Sequence, residues 1–129
     1  MRELHGHKVN PANDKLRVTV MDEPGHGGAC HDYHVTGFSQ TVEFDVGPLD
    51  IDNVLIQFQN GPINEVGVNG ITHEVLLAIL IDRMEGFQAG QYACRENALA
   101  LTKMQEAQMW LQKRTRDRMV RGVEGTHEK

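Results

Sequence analysis

The first 60 residues alternate between apolar and polar positions with a period of two. Three apolar triplets follow this period: Leu16, Val18 and Val20; Val42, Phe44 and Val46; and Val54, Ile56 and Phe58. Residues 33–38 are β-prone but carry fewer apolar side chains. Turn signals separate these segments at Glu23–Gly25, Gly47–Pro48 and Asn60–Pro62. The pattern predicts three or four antiparallel strands with one polar face.

Beyond residue 70 the apolar spacing becomes helical. Thr72 is suited to cap a first helix, which is expected to stop near Gly86 or Gly90. A second helix is predicted from about Ala93 to Val120, because no glycine or proline interrupts that segment. Two helices joined by a short loop that contains glycine form an αα-hairpin.

Together these patterns predict an α+β fold. A small N-terminal antiparallel β-sheet takes up residues 1–70, and a long C-terminal αα-hairpin takes up residues 71–129. Residues 75–81 are apolar on every side of a helix. The second helix would be about 42 Å long at about 1.5 Å per residue, whereas a domain of this size has a radius of gyration of about 14 Å. We therefore expect the hairpin to pack against other copies in a homo-oligomer.

Charge is spread unevenly along the chain. Five basic residues and one acidic residue between Lys113 and Arg121 give this segment a charge of +4, so the rest of the chain carries −9 out of a net −5. An acidic body repels a long nucleic acid, whereas a basic patch can hold a small anion. The longest apolar run is far shorter than the ~20 residues that span a bilayer, so no membrane contact is expected. Two cysteines suit a reducing cytoplasm.

Arg114, Arg118 and Arg121 share one stripe of the second helix. Guanidinium groups on one stripe suit phosphate recognition, because each presents paired planar donors. The alternative is a solvated face with Lys113–Asp117 and Asp117–Arg121 ion pairs. Both interpretations remain open from the residues alone.

The loop between the two helices brings aromatic and amide side chains together. Phe87 or Tyr92 can stack on a nucleobase, and the amide of Asn97 can read a base or ribose edge. The alternative is that Phe87 fixes the helix end to the core and Asn97 is an ordinary surface residue.

A segment rich in glycine and histidine covers residues 24–34. Gly27 and Gly28 allow close approach of backbone amides to phosphate, or they form a plain turn. The same segment contains zinc-ligand residue types at His26, Cys30, His31 and His34. Their spacing matches no standard zinc site, so no metal is predicted.

Catalytic patterns are incomplete. His34 and Thr36 supply one copy of a His-x-Thr pattern, but two-histidine phosphoesterases need two. His73 and Glu74 lack the second histidine of a zinc-protease helix. No phosphate-binding GxxxxGK[ST] motif occurs. We therefore predict a protein that is not an enzyme and that uses no cofactor.

Several blocks of the second half resemble one known family. These are Gly70–Glu74, Gly86–Gly90, Ala93–Ala100, Trp110–Thr115 and Arg121–His127. They are similar to the Thoeris anti-defence protein 1 family of phages, whose helical hairpin is shared with the anti-CBASS sponge family. The sheet region, including Gly25–Gly28 and Tyr33–Phe38, resembles the N-terminal extension of the Thoeris branch more loosely.

The resemblance implies a hexamer that acts in the cytoplasm of an infected bacterium. Such a protein would sequester glycocyclic ADP-ribose without cleaving it, and would hold CBASS cyclic trinucleotides in separate sites. The alternative of another class is a phosphodiesterase that degrades such cyclic nucleotides. The resemblance places the ADP-ribose-type pocket at Phe87 and Asn97, the trinucleotide site at Arg114 and Arg118, and loop contacts at Gly27 and Gly28.

Overall fold

A computed structural model describes residues 1–128, which form two compact units. The first unit is Met1–Asn60, and the second begins at Gly61. The sheet lies in the first unit and the two long helices in the second. The predicted α+β fold, with an antiparallel sheet ahead of a helical hairpin, is confirmed.

Four antiparallel strands form the sheet, in the order in which they occur along the chain. Their bounds are Arg2–Leu4 for β1, Arg17–Val20 for β2, Asp32–Phe44 for β3 and Gly47–Gln57 for β4. A short helix α1, Pro11–Lys15, lies between β1 and β2, and a 3₁₀ turn, His26–Gly28, between β2 and β3. Neither β1 nor α1 was expected, because both are too short to carry a periodic signal.

The two faces of the sheet differ in polarity as the alternation predicts. Val18 pairs with Val35 and Val35 with Val54, so one face is apolar across three strands. Val20 on the same face is only 1% exposed. Thr19 and His34 pair on the opposite, polar face. The register keeps Val20 buried and these valines on one face, since a shift by one residue would move them to the polar face.

The prediction of a turn at Gly47–Pro48 was wrong. The hairpin turns at Asp45 and Val46, and Pro48 pairs with Glu43 inside the ladder. Val46 is therefore an exposed turn residue and does not share a strand face with Val42. Proline is tolerated because β4 is an edge strand, where a missing N–H costs little.

A bulge interrupts the pairing of β3 and β4 between Thr36 and Gln40. Gly37 adopts a φ of +96° at this point, which favours glycine. A Cβ atom on Gly37 would overlap the carbonyl oxygen of Lys15 at the end of α1. Close contact with α1 therefore requires glycine here, and the bulge bends the strand around it.

Three helices make up the second unit: α2, Ile63–Val66; α3, His73–Gln88; and α4, Arg95–Val120. The Thr72 hydroxyl accepts a hydrogen bond from the N–H of Val75 at 3.3 Å, which confirms the predicted cap. Among the described residues, no helix is long and apolar enough to cross a membrane.

A covered face with heptad-like spacing, called the seam here, runs along α4, and its part up to Gln108 packs against α3. The covered positions of α4 alternate in steps of four and three: Asn97, Leu101, Met104, Gln108, Leu111, Thr115 and Arg118. This spacing keeps one narrow face turned toward a partner helix. Gln108 Nε2 donates to the backbone oxygen of Glu74 at 3.0 Å and so ties α4 to the start of α3. Asn97 lies at the elbow end of this face, whereas Arg118 lies about 15 Å beyond Gln108, where the segment after α4 covers it.

The end of α4 reverses the chain through a glycine cap. Gly122 has a φ of +73°, and its N–H donates to the Met119 oxygen at 3.0 Å. The N–H of Val123 donates to the Arg118 oxygen at 3.0 Å. These two bonds form a Schellman motif. The residues after Gly122 therefore turn back along the helix end.

Candidate functional site

The hairpin elbow, defined here as Arg83, Phe87, Gln88, Tyr92 and Asn97, places an aromatic pair beside a cation. The rings of Phe87 and Tyr92 lie 5.9 Å apart, centroid to centroid, at an angle of 57°. The Arg83 guanidinium carbon lies 4.9 Å from the Phe87 centroid, within the range of a cation–π contact. Arg83 stands one turn before Phe87 on α3, so both side chains lie on the same helix face.

Side-chain hydrogen bonds hold the elbow loop in shape. Gln88 Nε2 donates to the Cys94 oxygen at 3.2 Å, and Gln88 Oε1 accepts from the Cys94 N–H at 3.1 Å. Asn97 Nδ2 donates to the Tyr92 oxygen at 3.2 Å. The structure thus brings Phe87 and Asn97 together through Tyr92, which contacts both.

This arrangement suits a nucleotide-like ligand chemically. Tyr92 is exposed, and the half-buried Phe87 can offer its ring edge or face to a base. Arg83 supplies a positive charge next to the aromatic pair, where a phosphate attached to a stacked base can lie. Sequence reasoning missed Arg83, although its four-residue spacing from Phe87 was a usable signal.

The basic end of α4 does not present its arginines equally. Arg114 is exposed and has no hydrogen bond or ion pair with any described residue. Arg118 is only 5% exposed, because the segment after α4 folds over it. Lys113 and Asp117 form a surface ion pair at 2.6 Å, one of the two pairs expected for a solvated face. The stripe therefore combines one accessible guanidinium with one that the chain itself surrounds.

Arg118 donates hydrogen bonds from all three guanidinium nitrogens to the segment that follows α4. Nε binds the Glu124 carboxylate at 3.0 Å. Nη2 binds the backbone oxygens of Val123 and Thr126 at 2.9 and 3.2 Å, and Nη1 binds that of Glu128. A buried charge needs such partners to offset its desolvation.

Gly27 and Gly28 lie in the 3₁₀ turn of the first unit with φ values of +76° and +78°. The N–H of Gly28 donates to the Gly25 oxygen at 2.9 Å, and the N–H of Gly25 donates to the Ala29 oxygen at 2.8 Å. Both of these amides are therefore occupied inside the loop. No atom lies within 4 Å of where a Cβ would stand on Gly27 or Gly28, so this side of the loop is open.

The Asp22 carboxylate fixes the chain at the end of the loop that contains the His26–Gly28 turn, called the glycine loop here. The Asp22 carboxylate accepts the N–H of His31 at 2.9 Å and that of Asp32 at 3.1 Å. Burial opposes ionisation of Asp22, but these backbone donors outweigh it and hold its pKa below the ordinary value. His31 is buried, and its Nδ1 lies 3.8 Å from Asp22 without a hydrogen bond to any described group.

The zinc-ligand types of this segment do not gather around one point. Within residues 1–128 no group of three or more His, Cys, Asp or Glu side chains could hold a metal ion. Cys30 is a buried free thiol whose sulfur lies 4.0 Å from an Arg2 guanidinium nitrogen.

A shallow pocket of about 660 Å³ opens on the polar face of the sheet, at the bulge. His34, Thr36 and Asn53 line it. His34 Nε2 lies 3.3 Å from Asn53 Oδ1. The His-x-Thr pattern is thus half-buried at the pocket, and its polar partner Asn53 comes from the neighbouring strand and not from a second copy of the motif.

A family model of the Acb2/Tad1 hairpin domain matches residues 50–116, which is more than half of the chain. The chain belongs to the Acb2/Tad1 hairpin-domain family. The match contains the whole elbow and Arg114, and it ends before Arg118 and the segment that Arg118 binds. The resemblance noted from the sequence is confirmed.

One relative of known name supports the same family. The protein called Thoeris anti-defense 1, from Bacillus phage SBSphiJ7, is 55% identical over 74 residues. The match covers 57% of this chain and 52% of the phage protein. This chain therefore spans about half the length of the curated relative that it matches.

Replacing Asp22 by Asn should weaken the acid sensitivity of the first unit. The folded-state pKa of Asp22 is lowered, so its contribution to stability is present above about pH 4 and is lost as the pH falls through the lowered value. We expect Asp22→Asn to be less stable than wild type at pH 7, and to lose less stability between about pH 4 and pH 2. Urea denaturation at several pH values measures this. Asp45→Asn, in the exposed hairpin turn, is the control, and an equal pH slope for both variants would contradict the assignment.

Proposed function

We propose that this chain is a phage anti-defence protein that binds the Thoeris signal glycocyclic ADP-ribose and sequesters it without cleaving it. A second proposed ligand class is the cyclic trinucleotides of CBASS, held in a separate site. Family membership and the name of the phage relative support an anti-defence role. Sequestration lowers the free concentration of the signal by mass action, so that a host effector stays below its activating threshold.

The elbow is the observation that carries the proposal. An ADP-ribose-type ligand combines an adenine ring with two linked phosphates and ribose hydroxyls. Phe87 and Tyr92 supply stacking surfaces, Arg83 supplies positive charge at 4.9 Å from the Phe87 ring, and Asn97 supplies an amide. Because Gln88 ties the loop ends together, these groups are ordered before the ligand arrives, which lowers the entropic cost of binding.

Arg114 and Arg118 are the proposed residues of the trinucleotide site. Arg114 is exposed and suited to a phosphate contact, since its guanidinium offers paired donors. Copies of Arg114 that converge in an assembly would repel each other, and a trianion between them would relieve that repulsion.

We further propose that the working form is a homo-oligomer, a hexamer in keeping with the resemblance. The chain exposes 9503 Å², whereas a compact monomer of its mass exposes about 6,900 Å². Even two separate units of half that mass would expose only about 8,300 Å² together, so the excess does not depend on how the units are arranged. The excess of 9503 Å² over the area of two separate units is about 1,200 Å². This is more than the roughly 800 Å² that each partner buries in a standard interface.

Apolar side chains on the helices supply the surface for such contacts. Val75, Ile79 and Leu80 of α3 are each between 45 and 58% exposed, and Trp110 of α4 is 70% exposed. Three of the seven residues of the apolar run 75–81 are therefore exposed on α3. Large exposed apolar patches of this kind usually mark an interface.

Recovery of intact ligand tests sequestration against cleavage. Glycocyclic ADP-ribose is incubated with excess protein, the free ligand is measured, and the sample is then heated to denature the protein. We expect the free ligand to fall with protein concentration and to be recovered unchanged after heating, because binding alters no bond. Loss of the ligand after heating would support the phosphodiesterase alternative, and His34→Ala would then show whether the bulge pocket is responsible.

The two proposed sites should respond separately to mutation. Phe87→Ala removes the stacking surface and should weaken binding of glycocyclic ADP-ribose by about 1–3 kcal/mol, while leaving cyclic trinucleotide binding unchanged. Arg114→Ala should do the reverse. Isothermal titration of both ligands into both variants measures this, with Arg116→Ala, another exposed arginine of α4, as the charge-matched control. Equal effects of both variants on both ligands would contradict the two-site proposal.

Analytical ultracentrifugation tests the assembly. The chain has a mass of 14.5 kDa, and we expect a sedimenting species several times heavier at micromolar concentration. Ile79→Glu should shift the distribution toward monomer, because a charge on an apolar interface is costly to bury. Lys103→Glu, on an exposed polar position of α4, is the control. A wild-type protein that sediments as a monomer with ligand present would overturn this part of the proposal.

A further inference from the structure

The segment Val123–Glu128, called the C-terminal latch here, places the carboxylate of its own Glu124 against Arg118. The Glu124 carboxylate accepts from Arg118 Nε at 3.0 Å, and the arginine side chain is 7% exposed. Glu124 itself is more exposed, with 37% of its side chain accessible. One face of the ion pair is therefore open to solvent, from which a competing anion can approach.

Carboxylate and phosphate oxygens compete for the same guanidinium donors. Both present two oxygens to the planar edge of an arginine. Backbone oxygens of Val123, Thr126 and Glu128 take further donors of the same group. A ligand phosphate cannot make a two-donor contact with Arg118 while these bonds persist, because they use four of the five N–H groups of the guanidinium.

Two glycines give the latch a tightly turned backbone, and two contacts attach it to α2. Gly122 and Gly125 flank Glu124 with φ values of +73° and +84°, which allow tight turns on both sides of it. The N–H of Asn64 donates to the Gly125 oxygen at 3.1 Å. His127 Nε2 lies 2.7 Å from the Glu65 carboxylate. The latch therefore connects the end of α4 to α2 through a small number of polar bonds.

We propose that the C-terminal latch is an autoinhibitory strap on the trinucleotide site, in which Glu124 occupies Arg118 until a phosphate of the ligand displaces it. This proposal rests on the proposed function, because the displacing ligand is a cyclic trinucleotide. The apparent affinity equals the affinity of the open form multiplied by the fraction of molecules in which the latch is open. This factor is the same for every ligand that needs the open state, and a ligand with several phosphates offsets it through contacts that a single phosphate lacks.

Titration of cyclic tri-adenylate into Glu124→Gln tests the strap. Glutamine keeps the shape of the side chain but removes the charge that holds Arg118, so we expect binding about five-fold tighter or more than in wild type. Glu106→Gln removes the same charge from an exposed position of α4, and its affinity should stay within about two-fold of wild type. Binding of glycocyclic ADP-ribose should be the same in all three proteins. Circular dichroism checks that the helices remain folded.

Hydrogen exchange of the wild-type protein gives a second measure. The N–H groups of Val123 and Thr126 are bonded within the latch region, and saturating cyclic tri-adenylate should speed their exchange. Slower or unchanged exchange, together with equal affinities of wild type and Glu124→Gln, would overturn the strap and leave trinucleotide binding standing. Failure of both proteins to bind the trinucleotide would contradict the proposed trinucleotide site and the strap together. Binding by Glu124→Gln alone would support the strap.

Discussion

Packing of α3 against α4 is the constraint on which the second unit depends. The seam repeats in steps of four and three residues, so one narrow face of α4 is covered along its whole length. The same face carries Asn97 at the elbow and Arg118 at the other end. The elbow site is therefore placed by the packing of α3 on α4, whereas the surroundings of Arg118 come from the segment after α4.

Polar residues in a seam must be satisfied locally, and the structure does this in different ways. Gln108 reaches the Glu74 backbone oxygen across the helix pair. Asn97 is tied to the elbow loop through the Tyr92 oxygen. Arg118 draws the chain after Gly122 back over itself, because its guanidinium has no partner on α3. The fold of the C-terminal latch is in this sense a consequence of one buried charge.

The first unit adds a second kind of constraint, set by the backbone. Gly37 allows β3 to bend where α1 ends, and Asp22 fixes the base of the glycine loop through two backbone N–H groups. The loop is stable because of these internal bonds, which also occupy the amide of Gly28. An anion that contacts this loop would therefore have to bind on the open side of Gly27 and Gly28, at peptide groups that are not bonded within the loop.

The sequence by itself determined the class of the fold, the cap at Thr72 and the family. Alternation over residues 15–20 and 54–58 marked the sheet, because burial of one face forces a two-residue period. The sequence also indicates the covered face of α4, since Leu101, Met104 and Leu111 follow the heptad spacing. The loop chemistry already made Phe87 and Asn97 candidates, but only the family resemblance favoured a binding role over a structural one.

Only the tertiary structure distinguished residues that the sequence treated as equal. Arg114 and Arg118 share a stripe four residues apart, yet one is exposed and the other is enclosed by the chain that follows the helix. The turn at Asp45–Val46, the role of Arg83 beside Phe87 and the pairing of Glu124 with Arg118 likewise depend on contacts between separate segments. A local pattern records which residues face the same way, but it does not record which segment comes to meet them.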